Sequence, residues 1–227
     1  MRKYTTLLFD ADDTLLDFGL AEAVAIKNTC LAFGIPFSEE VGRLYSRIND
    51  ALWKRLEKGE VTRDIIKIAR FEQFVEALGA RADAKKMADY YVEALSETGA
   101  LLDGAEEMCY KLSEVYDMHI VTNGITYVQK KRFAKSGLAP YFKNCFISEE
   151  CGSKKPDKEF FDYIFSKIGE KDKSKICIIG DSMSSDILGG INAGIDTCYF
   201  SPSRKEGPYT PTYQVASFSE IIELFLN

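Results

Sequence analysis

The chain has one histidine and one tryptophan in 227 residues, no Cys-x-x-Cys pair and no long apolar run. Each scarcity narrows the chemistry. A single His119 argues against multi-histidine zinc sites and histidine-based phosphoryl transfer, although one histidine could still serve a triad. It stands in Met118-His119-Ile120-Val121, which places it at the start of a strand, neither catalytic nor metal-binding. The six cysteines (Cys30, Cys109, Cys145, Cys151, Cys177, Cys198) fall mostly in apolar settings such as Ile176-Cys177-Ile178, as small buried hydrophobes do. A chain of this length with a real core needs no disulfide staples, so reduced thiols and a cytoplasmic protein are expected. After Met1-Arg2-Lys3 the apolar run Leu7-Leu8-Phe9 stops at acids, too short for a signal peptide, and no stretch approaches a membrane span.

Basic residues are also in deficit, 29 against 35 acidic, for a formal charge of −6. That balance speaks against a nucleic-acid polymer or an anionic membrane surface as partner. A local site can still be positive and take a small anion. No repeat or low-complexity segment is present, and no protein partner is implied. The length suits one large domain or a domain with an insertion, and 46% hydrophobic residues supply the core.

What the chain does have is an α/β rhythm. Residues 5–9, 118–122, 144–147, 175–180 and 196–200 read as short, nearly continuous apolar strands, the pattern of a parallel sheet covered on both faces. Between them lie helical stripes. Ala105, Met108, Cys109 and Leu112 form one, and Phe161, Ile164, Phe165 and Ile168 another. Ser217 and Glu220 make a capping-box signature before Ile221, Ile222 and Phe225. This predicts a Rossmann-like, doubly wound parallel sheet. Residues 17–98 interrupt it with helical patterns only, near 21–33, 39–58, 63–78 and 84–97, the last but one carrying the stripe Phe71, Phe74, Val75, Leu78. An α/β core of 1–16 and 99–227 with an inserted all-helical cap of 17–98 is expected. Ser201 to Thr212, with three prolines, reads as a surface loop.

The acids fall where strands end. In an open α/β sheet, ligands bind at the carboxyl ends of the strands. Those ends read Asp10-Ala11-Asp12-Asp13-Thr14, Thr122-Asn123-Gly124 and Gly180-Asp181-Ser182, with Asp186 a turn later, and another connection supplies Lys154-Lys155-Pro156. Taken singly, each is also what a turn or a helix cap uses. Together, Asp10, Asp12, Asp181 and Asp186 put up to four negative charges in a small volume, unfavourable without cations or retained protons. Mg²⁺, one lysine and a proton on Asp12 would balance them, and acids without His or thiol partners favour Mg²⁺ over zinc. One carboxylate can then act as nucleophile and form an acyl phosphate. Its neighbour can protonate the leaving oxygen and later deprotonate water. Thr122, backbone N–H groups and Lys155 would hold the phosphoryl oxygens. The constellation is that of a phosphatase. Asp13 reads as a structural or solvated neighbour, and Lys130-Lys131-Arg132 as a solvated helix face.

These residues, in order, resemble the four motifs of the haloacid dehalogenase (HAD) superfamily, over nearly the whole chain and with the helical insertion of its subfamily I, C1-cap members. The resemblance implies Asp10 as nucleophile and Mg²⁺ ligand, and Asp12 as general acid/base lending its carbonyl to the metal. It implies Thr122 as phosphate binder with Asn123 beside it, and Lys155 as the neutralising cation. Asp181 would ligate the metal directly and Asp186 would act through water or by orienting Lys155. Haloalkanoate dehalogenases lack an acid at the position of Asp12, so the resemblance is to the phosphotransferase branch. A nearer similarity is to the YjjG-like 5'-nucleotidases, which act on pyrimidine nucleoside monophosphates, non-standard ones included. It rests on Phe9-Asp10-Ala11-Asp12-Asp13-Thr14-Leu15, Leu52-Trp53, Lys58-Gly59-Glu60-Val61-Thr62, Arg70-Phe71-Glu72, Ile147-Ser148-Glu149-Glu150 and the run Ser185 to Gly194.

The resemblance implies a small phosphorylated metabolite, a nucleoside monophosphate foremost, as substrate. In the cap, Trp53, Phe71 and Arg70 could form a base-stacking, phosphate-facing patch, with Asn49 a turn before Trp53. More often, such residues in a small helical bundle are core plus a surface charge. Two rival functions stand beside the nucleotidase: a phosphatase or mutase acting on sugar phosphates or phosphoglycolate, and a non-catalytic protein that binds a phosphorylated ligand.

Overall fold

A computed structural model describes residues 3–227, the side chains of Glu57 and Arg63 excepted. Met1 and Arg2, which open the basic start of the chain, lie outside the described residues. The chain divides into two compact units, residues 1–17 with 99–227, and residues 18–98. In chain order the elements are β1 (Thr6–Phe9), α1 (Phe18–Ala32), α2 (Glu39–Glu57), α3 (Arg63–Leu78), α4 (Ala84–Ser96), α5 (Ala105–Ser113), β2 (Asp117–Thr122) and α6 (Thr126–Lys135). There follow β3 (Asn144–Ile147), α7 (Ser148–Cys151), α8 (Lys158–Ile168), β4 (Ile176–Gly180), α9 (Leu188–Ala193), β5 (Asp196–Phe200), β6 (Tyr213–Val215) and α10 (Phe218–Leu226).

All six strands are parallel, in the order β3-β2-β1-β4-β5-β6. Five lie within a residue of the apolar runs read from sequence. The sixth, Tyr-Gln-Val after the proline-bearing loop, is too short and too polar to signal itself. Chain order reverses between β1 and β4, because β1 leads to β2 on one side and the chain returns to β4 on the other. The carboxyl ends of β1 and β4 therefore flank the crevice that a doubly wound sheet offers to ligands.

Alternation within the strands builds two apolar layers. Leu7, Phe9, Met118, Ile120, Cys177 and Ile179 face α5 and α10, meeting Met108, Leu112, Ile221 and Phe225. Leu8, Val121, Ile176 and Ile178 face the other way, onto Phe160, Phe161 and Ile164 of α8. The expected stripe on α5 is wholly buried, and on α8 Phe160 joins the stripe. At α10, Ser217 accepts from the Glu220 N–H at 3.2 Å, while the Glu220 carboxylate accepts from the Ala216 N–H at 3.0 Å, one residue before the cap. The box closes with a one-residue offset.

The helical unit is held by aromatic packing. Tyr45 of α2, Phe71 and Phe74 of α3 and Tyr91 of α4 meet with ring centroids 5.1–6.4 Å apart. A second patch joins Leu52 and Leu56 to Ile66. Ser38 caps α2 and Asp83 caps α4, each accepting a backbone N–H. No helix among the described residues is long and apolar enough to cross a membrane.

His119 lies within β2, 2% exposed, with its ring 5.9 Å from that of Phe146 and Nδ1 3.0 Å from the Asn144 amide nitrogen. Burial pushes its pKa down to about 4. The unfolded chain binds a proton here between that value and the ordinary 6.5 that the folded chain refuses, so this contribution is lost as pH falls through that window. Between pH 7 and pH 4 the parent is expected to lose about 3 kcal/mol relative to His119→Gln. Paired urea melts across pH check it, and parallel curves for the two proteins would remove His119 as the cause.

Candidate active site

Asp10 is the first residue past β1, and its N–H still donates to Ile179 of β4 at 2.9 Å. That bond fixes its backbone at the crevice before the chain turns. The turn is tight: Asp13 takes a positive φ of 57°, which Asp tolerates better than most residues, and the N–H groups of Leu15 and Leu16 return to the carbonyl of Ala11. Thr14 is thereby buried with its hydroxyl 3.3 Å from Asp181 and 3.5 Å from Asp10, one proton between two carboxylates.

Lys155 enters the same space, 1% exposed, in preference to the adjoining Lys154. Its ammonium donates to Asp10 Oδ1 at 2.5 Å and to Asp186 Oδ1 at 2.6 Å. Asn123 holds its backbone in place. The Asn123 amide donates to the Lys155 carbonyl and its oxygen accepts from the Lys155 N–H, both at 2.9 Å. Asn123, expected beside the phosphate binder Thr122 as a substrate-binding residue, thus links the end of β2 to the lysine loop.

Asp186 is fully buried in a single π-helical turn, Met183–Ile187, that follows β4. Its second oxygen accepts from the Ser182 N–H at 3.0 Å, so both oxygens are engaged. Gly180 makes this possible, because a Cβ there would collide with the Asp186 carboxyl. Among the described residues, Asp10, Asp181 and Asp186 each offer an oxygen within 4.8 Å of the others, a set able to hold a cation.

The electrostatics call for one. Burial, with neighbouring carboxylates adding to it, pushes Asp10 up to about 7 and raises Asp181 well above the usual carboxylate range. Burial opposes the charge on Lys155, but Asp10 and Asp186 outweigh it and hold the ammonium above the ordinary lysine value. One lysine cannot neutralise the buried Asp10 and Asp186 together with the half-buried Asp181. An all-oxygen set with a charge deficit fits a hard divalent cation.

Asp12 points elsewhere. Its Oδ1 pairs with the Arg132 guanidinium and its Oδ2 accepts from the Gln129 amide at 2.6 Å. The same amide nitrogen donates to the Thr122 hydroxyl at 2.8 Å, and the Gly124 N–H donates to that oxygen at 3.1 Å. Both lone pairs of Thr122 are occupied, which leaves its proton to give to a ligand. Arg132 was expected on a solvated face with Lys130 and Lys131. It is instead completely buried, because Asp12 supplies its counter-charge. Lys130 fits the expectation, exposed and paired with Glu150, and Lys131 is partly exposed, its ammonium donating to the exposed Tyr127 hydroxyl at 2.8 Å.

Gln129 carries no motif in the sequence and Arg132 reads there as solvated, though the sequence holds a signal for both. They share one face of α6 with buried Val128, so that face is polar where packing alone would make it apolar. In the helical unit, Arg70 is likewise interior, 2% exposed, its guanidinium 4.7 Å from the Tyr91 ring centroid. Its Nη1 donates to Asn49 Oδ1 at 3.1 Å, which also accepts from Trp53 Nε1 at 3.2 Å, while the Asn49 amide donates to buried Glu22 at 2.9 Å. Arg70, expected on a phosphate-facing patch, belongs to this internal network, and Trp53 hangs half-buried from it.

The family model that matches residues 4–194 is that of haloacid dehalogenase-like hydrolases. The HAD-hydrolase YfnB of Bacillus subtilis is 39% identical, the alignment covering 99% of this chain and 96% of that one. The pyrimidine 5'-nucleotidases PynA of Streptococcus pneumoniae and YjjG of Escherichia coli are 39% and 33% identical, each covered over 94% or more. The crystal structure of YfnB bound to magnesium superposes with a TM-score of 0.94 over 99% of both chains. An L-2-haloacid dehalogenase from Xanthobacter autotrophicus, at 16% identity and 0.77, shares the fold.

The raised carboxyls give a test of the cation. The folded, cation-free chain keeps protons on Asp10 and Asp181 that the unfolded chain releases, so their contribution to stability is lost as pH rises, for Asp10 between about 4 and about 7. Mg²⁺ is expected to raise the melting temperature more at pH 8 than at pH 6, and Asp181→Asn to remove most of that difference. Equal shifts at both pH values would show that these acids do not bind it.

Proposed function

Because the chain belongs to the haloacid dehalogenase-like hydrolase family, we propose that it is a Mg²⁺-dependent phosphatase acting on nucleoside 5'-monophosphates, pyrimidine ones foremost. The observation that carries the chemistry is Lys155 held between Asp10 and Asp186, with Asp181 alongside and the Thr122 hydroxyl at the end of neighbouring β2. Residues 1–16 with 99–227 act as the catalytic core and 17–98 as its cap, in a cytoplasmic protein whose ligand is a small phosphorylated metabolite.

Asp10 attacks phosphorus through one carboxylate oxygen, and the ester oxygen departs with a proton from Asp12, leaving an aspartyl phosphate. Asp12, now the base, takes a proton from water as that water attacks phosphorus, and Asp10 is released with inorganic phosphate. Lys155 and Thr122 stabilise the phosphoryl oxygens throughout. Asp10, Asp181 and the Asp12 carbonyl would hold Mg²⁺, which supplies charge neutralisation when bound. Asp186, with both oxygens committed to Lys155 and Ser182, serves by orienting the lysine. The dehalogenase and binding-protein readings lose to the presence of both Asp10 and Asp12.

The substrate reading rests on the names of PynA and YjjG and on the Leu52-Trp53 and Arg70-Phe71 segments that suggested it. Trp53 is the group proposed to stack on the base, and Arg70 to hold Asn49 and through it Trp53. Phosphate release across UMP, dUMP, dTMP, sugar phosphates and phosphoglycolate tests it, with Asp10→Asn as blank. Preference for the nucleotides is expected, with loss on the order of 10⁴-fold or more in Asp10→Asn. Release from sugar phosphates alone would keep the chemistry and move the substrate. Trp53→Ala is expected to raise KM for UMP about tenfold while leaving that for p-nitrophenyl phosphate nearly unchanged; equal changes would remove it from base recognition.

A further inference from the structure

We propose that Gln129 and Arg132 of α6 are positioning residues for Asp12, holding its carboxylate beside the Thr122 hydroxyl so that proton donor and phosphoryl group meet in register. The inference rests on the phosphatase reading above and deepens it. Neither residue is part of the motifs that suggested that reading.

Three observations converge. First, a single nitrogen, Gln129 Nε2, donates both to Asp12 Oδ2 at 2.6 Å and to Thr122 Oγ1 at 2.8 Å, so the two groups are referenced to one atom. Second, Arg132 fixes the other carboxylate oxygen, and its Nη2 lies 3.5 Å from the Asp17 carbonyl, which anchors the guanidinium as well. Each oxygen of Asp12 thus has its own donor, and rotation about the carboxyl bond would break both contacts.

The third observation is a cost that the fold tolerates. Gln129 is 2% exposed, and its carbonyl oxygen Oε1 is buried with no hydrogen-bond partner. An apolar side chain of the same size would avoid that penalty. Gly124 makes room as well, since a Cβ there would collide with the Gln129 amide. A buried amide kept at the expense of its own acceptor, with a glycine cleared for it, is placed for what its donor end holds.

Leaving-group dependence distinguishes positioning from mere support. An alkoxide such as the nucleoside 5'-oxygen needs a proton to depart, whereas p-nitrophenolate leaves without one. If Gln129 and Arg132 aim the acid, kcat/KM in Gln129→Leu and Arg132→Met falls on the order of 100-fold for UMP and less than about fivefold for p-nitrophenyl phosphate, relative to the parent enzyme, all proteins being assayed with Mg²⁺. Arg132→Lys, which keeps one donor, recovers part of the UMP loss. Equal losses on both esters, or a variant faster than the parent on UMP, would overturn the proposal while leaving the phosphatase reading intact. A parent that releases phosphate from neither ester, or releases it as well with Asp10→Asn, would overturn both. Gln129→Leu replaces no ion pair, so it carries the test even where an Arg132 variant fails to fold.

Discussion

The buried ammonium of Lys155 is the interaction on which the site depends. It is the cation that lets Asp10 and Asp186 sit within hydrogen-bond reach of one nitrogen behind the end of the sheet. Without it, two desolvated carboxylates would face each other across a few ångströms, an arrangement that proteins avoid by moving apart or by holding protons. Everything around the lysine serves its placement: Asn123 grips its backbone, Ser182 turns Asp186 toward it, and Gly180 leaves that carboxyl its space. The raised carboxyls of Asp10 and Asp181 measure what the lysine leaves undone.

Charge counting on the sequence invoked a proton on Asp12 to bring the four acids into balance. Arg132 changes that account. With its guanidinium against Asp12 and the Lys155 ammonium between Asp10 and Asp186, two fixed cations stand beside the four acids, where the strand ends alone offered one. The folded chain thus supplies from α6 a charge that no reading of strand ends could count. It also gives the crevice a second cation with its own partner, Arg132 on Asp12, beside Lys155 on Asp10 and Asp186.

The strands and the acids that end them were readable because the signals are local. A run such as Ile176-Cys177-Ile178-Ile179, short, β-branched and closed by Gly180, reads as a strand covered on both faces, and Asp181 follows that glycine. Long-range pairing was not readable. Arg132 next to two lysines looks like a solvated cation until Asp12, from another part of the chain, is brought to it. Arg70 beside Phe71 looks like a surface charge until Asn49 and Glu22 are folded beneath it. In both cases the side chain's type was evident and its partner was not, and burial of a charge depends on the partner.

The two-way bond between Asn123 and Lys155 has a further meaning. A side-chain amide that gives and takes one hydrogen bond with a peptide unit does the work of a neighbouring strand residue. The lysine is therefore stitched laterally to the end of β2, as though it were one rung of the ladder, and does not depend on the covalent path from β3 for its position. That path, through α7 and the residues after it, is relieved of metric duty. Relatives could lengthen, shorten or decorate it without moving the ammonium, which makes this connection a place where the architecture can change while its charge centre stays fixed.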